Sequence, residues 1–277
     1  MPRRRRTTAT LEPTDEPRNG ASADSSTGIP DRDSLFARVR RLAIRELRHS
    51  GVFMFPLRLF IGIGWLRAFA EKVISAGWFD GQAVGSFLDS KTAGEGVAFP
   101  VYGQLIESVL RPGSRWIGWL VMALQLIVGL AVLTGTYTNL ALLIGSAMNV
   151  NFILAGQINP SAFYIVIQTV LFVTGAGAIL GTDGKRARRP GRAASILIVA
   201  QPDVRRTSNS DKKAVTGLAA IAGALSWIGF AHATNFSPSG IGDPGLVLGT
   251  VVGLGTLSLV ILRFRMSALE RSKRPRT

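Results

Sequence analysis

LRLFIGIGWLRAFAEKVISAGW, residues 57–78, decides how the rest of the chain is read. Residues 52–70 are apolar apart from Arg58 and Arg67. At about 1.5 Å rise per residue they span roughly 28 Å, close to the thickness of a bilayer's hydrocarbon. A cation at the centre of such a helix costs roughly 2.5–3.5 kcal/mol on insertion scales, so it either faces protein or water or snorkels to the headgroups. Arg58 and Arg67 fall about 180° apart round a helix at 100° per residue. Arg67 is spaced to pair with Glu71 one turn on, and Lys72 returns to the Arg58 side. Charge on both sides predicts a helix surrounded by other elements.

Composition supports a membrane protein. The 277 residues are 47% hydrophobic with 31 Gly, which excludes a disordered chain. There is no cysteine, so disulfides, thiolate catalysis and cysteine-bound clusters are excluded. The two histidines, His49 and His232, fall on opposite sides of the expected membrane, so no haem or metal pair is expected from imidazoles of this chain.

Outward from the first span, residues 1–33 read as a disordered basic tail. The Arg3–Arg6 run has no apolar stretch close behind it, which argues against a cleaved signal peptide or twin-arginine signal. Residues 34–50 read as a basic amphipathic helix lying on the membrane surface or, alternatively, against a soluble partner. Residues 73–115 form a long outer loop with two short helices expected around 82–88 and 102–110. Spans are then expected at 116–135, 138–155 and 161–181, joined by turns short enough to make antiparallel neighbours. A basic loop over 184–213, its apolar core of 194–200 too short to cross, leads to a fifth span at 214–233 and a sixth at 244–262. A basic tail, 264–277, ends the chain.

The charge distribution sets the orientation. With six spans, residues 1–50, 182–213 and 263–277 share one side and carry 26 of the 32 Lys and Arg against 11 of the 17 Asp and Glu. The remainder is neutral, so the whole net charge of +15 lies on one side. The positive-inside rule makes that side, with both termini, cytoplasmic. The high pI thus reports topology and contact with anionic membrane lipid, not nucleic acid. The fold class expected is an all-α integral membrane protein, a four-helix transmembrane bundle over 51–183 followed by a two-helix hairpin over 214–263. In the hairpin, Gly245, Gly249 and Gly253 repeat every four residues and suit a close contact with Ala219 and Gly223.

Polar residues inside the spans are the candidate site. Gln125, Asn149, Tyr164 and Gln168 either bond across helix contacts or line a cavity with few polar groups on apolar walls, of a kind that suits a quinone ring. Arg67 and Lys72, at the outer end of span one, suit the capture of an anion. Arg58 or Lys72 would stabilise charge developing on a quinone oxygen, and Tyr164 or water would supply a proton.

Spans one to four resemble the DoxX/DoxD family, which includes the membrane subunit of thiosulfate:quinone oxidoreductases. Arg58 and Lys72 resemble that family's first-helix Arg and terminal Lys. QLIVGLAVLTG, residues 125–135, resembles the second-helix pattern, residues 138–148 the small-residue third helix, and Gly175–Gly177 with Asp183 the ending of the fourth. The chain departs at Gln125, where the family commonly has Glu, and at Asn139, where it has Arg. The resemblance covers about residues 52–183. It implies a subunit of the bacterial plasma membrane that passes electrons from a reduced sulfur compound, thiosulfate, to quinone. It also implies a second oxidoreductase subunit or a soluble sulfur-redox enzyme as partner. The alternative is a non-catalytic anchor that recruits soluble redox enzymes.

Overall fold

α1 (Met54–Ile74) runs unbroken through the deciding stretch because its one proline, Pro56, falls in the first turn, where no N–H is needed. Its glycines are places of close approach. A Cβ on Gly62 would lie 2.6 Å from Leu133, and one on Gly129 would lie 2.7 Å from Leu66, so each helix seats a leucine on the other's bare backbone. The computed structural model describes residues 53–92, 99–187, 195–201, 208–236 and 242–271, and these are helical with no strand among them. The expected tail over 1–33 and surface helix over 34–50 lie outside those residues, as do parts of the outer loop, the basic loop and the C-terminal tail.

The outer loop holds α2 (Gln82–Thr92) and α3 (Pro100–Leu105), the latter running into a wider turn of helix over Ile106–Leu110. Val84, Leu88, Phe99, Tyr102 and Ile106 are buried with Ile153, Ile165 and Leu248, so the loop folds onto the helix ends. The Tyr102 hydroxyl donates to Asn151 Oδ1 at 2.7 Å. Burial pushes that hydroxyl up to about 12, against the opposing pull of the Asn151 bond.

α4 (Ser114–Thr134), α5 (Thr138–Leu154) and α6 (Ser161–Thr174) follow through short turns, as the sequence predicts. Gly135, at φ +65°, ends α4 in the left-handed conformation that glycine takes without strain. The fourth expected span, 161–181, is shorter than read. α6 stops at Gly175, where a Cβ would lie 2.5 Å from the Gln201 carbonyl, and the chain continues as a 3₁₀ turn over Ala176–Ala178 and then α7 (Thr182–Ala187).

α8 (Asn209–Ala231) starts five residues before the expected span, because Ser208 and Asp211 form a reciprocal capping box. α9 (Pro244–Arg271) runs 28 residues, well past the expected 262. The glycine stripe of α9 is at the hairpin contact, with a different partner from the one expected. A Cβ on Gly229 would lie 2.4 Å from the Gly249 nitrogen, Gly249 carries the Phe230 ring, and Ser226 Oγ donates to the Gly249 carbonyl at 2.7 Å. Gly223 makes only an ordinary contact with Thr256, at 3.6 Å from its would-be Cβ, because the closest approach lies nearer the turn. At that turn Asp243 accepts from the backbone of Leu246 and from the backbone and hydroxyl of Thr234. Partial burial works to raise its carboxyl, but these bonds prevail and hold it at about 2.

α4, α8 and residues 244–268 of α9 are long and apolar enough to cross a membrane. α1 has the length, 21 residues, but carries Arg58, Arg67, Glu71 and Lys72, and α5 and α6 have 17 and 14 residues. One apolar core joins them. Trp65, Val128, Leu142 and Leu171 are buried in it together with Val215 of α8 and Leu259 of α9.

Candidate functional site

The residues singled out in the sequence fall into three groups, one at each end of the bundle and one between. At the end near Arg58, the guanidinium is 0% exposed although it lies on an apolar helix. Its Nη1 donates to the carbonyls of Ala176 (2.8 Å) and Ile179 (2.5 Å), and Nη2 to Leu180 (3.4 Å). These carbonyls lie where α6 gives way to the 3₁₀ turn, and that of Ala176 also accepts from the Ile179 N–H at 3.2 Å. Asp183, also 0% exposed, accepts from the N–H groups of Tyr137 and Thr138, both at 2.8 Å, and of Ala200 at 3.2 Å. It therefore caps the start of α5, where an anion also meets the positive end of the helix dipole.

The apolar island of the basic loop is tied into the same cluster. The Ile196 carbonyl accepts from Asn139 Nδ2 (2.6 Å) and its N–H donates to Asp211 (2.9 Å). Among the described residues two non-glycines have positive φ, Tyr137 and Leu180, both at 50°. Each is held by one of the buried charges. Arg58 and Asp183 thus fix a strained backbone, and the terminal nitrogens of Arg58 are occupied by carbonyls rather than turned toward a ligand.

At the other end, Arg67 pairs with Glu71 at 2.7 Å, as the spacing predicts, with 79% of its side chain exposed. Lys72 turns the other way. Its ammonium lies 4.7 Å from the centre of the Trp78 ring and contacts the Ala68 carbonyl. Gln125 completes this group when its amide is turned to suit its neighbours: Nε2 then donates to Ala68 and Oε1 accepts from Lys72, each at 3.3 Å. Gln125 is therefore taken up by Lys72 and does not meet Gln168.

Between these ends lie Trp65, Ser146, Asn149 and Gln168. Gln168 Oε1 accepts from Ser146 Oγ (2.9 Å) and Asn149 Nδ2 (3.3 Å). Tyr164 is one turn away with its ring edge-on to Trp65, centroids 6.0 Å apart, and its hydroxyl over the bare backbone of Gly64. Beside this cluster a cavity of about 210 Å³ opens between α5, α6, α8 and α9. Leu142, Phe172, Leu225, Val252 and Leu259 make its walls apolar, and Ser146, Gln168 and Thr169 are its polar members.

Comparison with protein-family models, with characterised proteins and with solved structures gives no match to this chain. The site therefore rests on its own geometry. Of the seven residues singled out in the sequence, Asn149 and Gln168 share one cluster with Tyr164 at its margin. Gln125 joins Lys72, Arg67 stands apart with Glu71, and Arg58 is at the far end. Only Gln168 among them lines the cavity. Sequence reasoning missed Trp65, Ser146 and the walls from α8 and α9. Trp65 sits on the buried face of α1 at 2% exposure, and a Trp there carries a donor needing a partner, which is the signal that marks it. No group of three or more His, Cys, Asp or Glu suited to a metal is present among the described residues.

Proposed function

We propose that the chain is a DoxX-like subunit of the bacterial plasma membrane that binds quinone and delivers to it electrons drawn from a reduced sulfur compound, thiosulfate by resemblance. The observation that carries the reading is the apolar cavity between α5, α6, α8 and α9 with the Gln168 amide in its wall. Small-molecule sites are concave and apolar with a few placed polar groups, and this cavity opens among helices suited to lipid. The site is narrower than the sequence suggested, with Gln168 and Ser146 holding the ring in place of the four-residue set.

Six spans with both termini cytoplasmic belong to the same proposal. The charge split of +15 against zero supports it. Thiosulfate arriving outside would meet Arg67 and Lys72 at the outer end of α1. With no cysteine in the chain, and with Arg58 occupied in the fold, the sulfur chemistry falls to a partner subunit. The second reading, a membrane anchor for soluble redox enzymes, is favoured by one observation. Arg67 is neutralised by Glu71 at the surface, as a purely structural pair would be.

The cysteine-free chain suits a topology test. Single cysteines at Ala98 and Ser239 should label from outside and one at Ser195 only after permeabilisation; outside labelling at Ser195 contradicts six spans. For activity, proteoliposomes holding the protein with its co-purifying partners should reduce quinone with thiosulfate. Gln168→Leu should raise the KM for quinone, and Arg67→Gln the KM for thiosulfate. Wild type that neither binds nor reduces quinone, yet retains partner enzymes at the membrane, leaves the anchor reading in its place.

A further inference from the structure

The outer loop carries an apolar face that the bundle does not use. Residues 100–110 run as one helix, α3 and the wider turn that continues it. Tyr102 and Ile106 share one side of it and are buried. At about 100° per residue, Val101 and Leu105 lie a quarter-turn round from them, and they are 78% and 40% exposed. In the wider turn the Arg111 N–H reaches back to the Ile106 carbonyl at 2.8 Å. Such a turn takes more residues per revolution than an α-helix, so it keeps Val109, 54% exposed, on the side of Leu105. Gln104, Glu107 and Ser108 occupy the remaining side, which is also exposed. The helix is therefore amphipathic, with an apolar arc wider than the part that packs on the bundle. An exposed apolar stripe rimmed by polar residues marks an interaction surface.

The loop lies at the depth of a membrane surface. Trp78 and Phe79 run beside α4 rather than above it. A Cβ on Gly118 would fall 2.8 Å from the Trp78 carbonyl. The Trp119 indole donates to the Phe79 carbonyl at 3.2 Å, and the two rings meet edge-on with centroids 5.1 Å apart. At about 1.5 Å per residue, Gly118 and Trp119 stand roughly 6–8 Å inside a helix long and apolar enough to cross a membrane. Phe79, Trp116 and Trp119 are exposed there, as aromatic residues are at a membrane–water boundary. The stripe of α3 reaches the same level: a Cβ on Gly113 would lie 3.0 Å from the Val109 carbonyl and 3.7 Å from Ile117, in the first turn of α4. Exposed charges flank it, Arg111 paired with Asp89 at 3.0 Å and Arg115 beside Trp116.

We infer that α3 lies in the bilayer surface at the outer end of the bundle, with Val101, Leu105 and Val109 in lipid and Gln104, Glu107 and Ser108 in water. Lipid is the partner because the stripe continues into the exposed aromatic face of a helix suited to cross the membrane. An amphipathic helix of this kind lies in the plane of the interface with its apolar face about 5–10 Å deep. Seated there, the loop stays folded onto the ends of the bundle, since lifting it would carry the stripe into water. Ile165 and Val252, which share the apolar cluster of Tyr102 and Ile106, also line the cavity, so the lipid-seated loop is continuous with the cavity's outer wall. The seat holds whatever occupies that cavity.

The test uses the full chain in nanodiscs, and the lack of native cysteine makes single labels specific. Val101→Cys, Leu105→Cys, Val109→Cys, Gln104→Cys and Ser108→Cys each carry a nitroxide spin label. All five side chains are exposed, so the labels do not disturb the packing. Relaxation by oxygen, which concentrates in hydrocarbon, and by a water-soluble nickel chelate gives the depth of each label. Ile127→Cys, at an exposed site near the middle of α4, marks the bilayer interior. Labels at 101, 105 and 109 should favour oxygen over nickel and share one shallow depth, about 5–10 Å into the boundary and short of the label at 127. Labels at 104 and 108 should favour nickel. A stripe as open to nickel as the polar side would place the face in water. A stripe screened from both reagents would place it against protein, a second copy of the chain or a partner. Either result overturns the inference. Absence of quinone binding would remove the reading of the cavity and leave these depths unchanged.

Discussion

The Arg58–Asp183 knot and the Trp65–Gln168 cluster are both polar islands in one apolar bundle, and they differ in what they join: buried charges to distant backbone in the first, neutral side chains to one another in the second. In the knot, two buried charges meet six backbone groups from three chain segments, and the flanking left-handed residues are pinned by those bonds. In the cluster, Gln168 accepts from Ser146 and Asn149, and no charge or backbone turn depends on it. Buried charges bonded to distant backbone hold the fold. The neutral cluster instead places Gln168 and Ser146 in the wall of a cavity. The difference separates residues that look alike in the sequence: Arg58 has the chemistry of a catalytic cation and the bonding of a structural one.

Breaking the knot should have the largest effect. Arg58→Leu takes the guanidinium from three carbonyls, of which that of Ala176 keeps only the Ile179 N–H, and Asp183→Ala leaves three N–H groups unpartnered. Each should destabilise the detergent-solubilised protein by about 3–5 kcal/mol in denaturant or thermal melts. Because both hold the same turns, the double variant should cost less than the two losses added. Additive losses would mean the knot is two independent sites.

Next in size is the hairpin, which carries the far wall of the cavity. Gly249→Leu drives a side chain into the Phe230 ring, 2.8 Å from the position of its Cβ, and should cost about 2–3 kcal/mol. Gly217→Leu is the control, since nothing lies within 4 Å of its Cβ, and should be near neutral. Equal behaviour of the two would dissolve the hairpin contact.

A smaller effect is expected at acid pH. The Asp243 carboxyl titrates at about 2 in the folded chain and near 3.8 when free of its partners. Since the folded value is the lower, its contribution is whole above about pH 4 and fades as pH falls toward 2. Melts between pH 5 and pH 2 should show a step that Asp243→Asn lacks. The smallest stability change belongs to the neutral cluster. Trp65→Phe removes an unpartnered donor and should leave the stability of ligand-free protein within about 0.5 kcal/mol of wild type or slightly raise it. A loss comparable to that of Arg58→Leu would make the cluster a second knot.

Much of the helix order was legible from residues 57–78 outward, because apolar runs bounded by Gly, Pro and charge announce helices directly. The Arg67–Glu71 pair and the glycine stripe of α9 were legible for the same reason: spacing along one helix is written in the sequence. What was not legible depends on neighbours from distant segments. Residues 161–181 read as one span because nothing in them shows that the Gln201 carbonyl presses on Gly175. Arg58 read as an open cation because its acceptors are backbone carbonyls more than 100 residues away, and every residue has a carbonyl. Gln125 read as a partner of Gln168 by its polarity and depth, whereas Lys72 had already claimed it.

The account stands most directly on quinone binding in the cavity beside Gln168. Equilibrium binding of decyl-benzoquinone to the full chain in nanodiscs, for wild type, Gln168→Leu and Ala222→Phe, measures it. The expected result is saturable binding of one quinone per chain to wild type, weakened in both variants while their melting points stay close to wild type. Absence of saturable binding to wild type, or binding that neither variant changes, would contradict it.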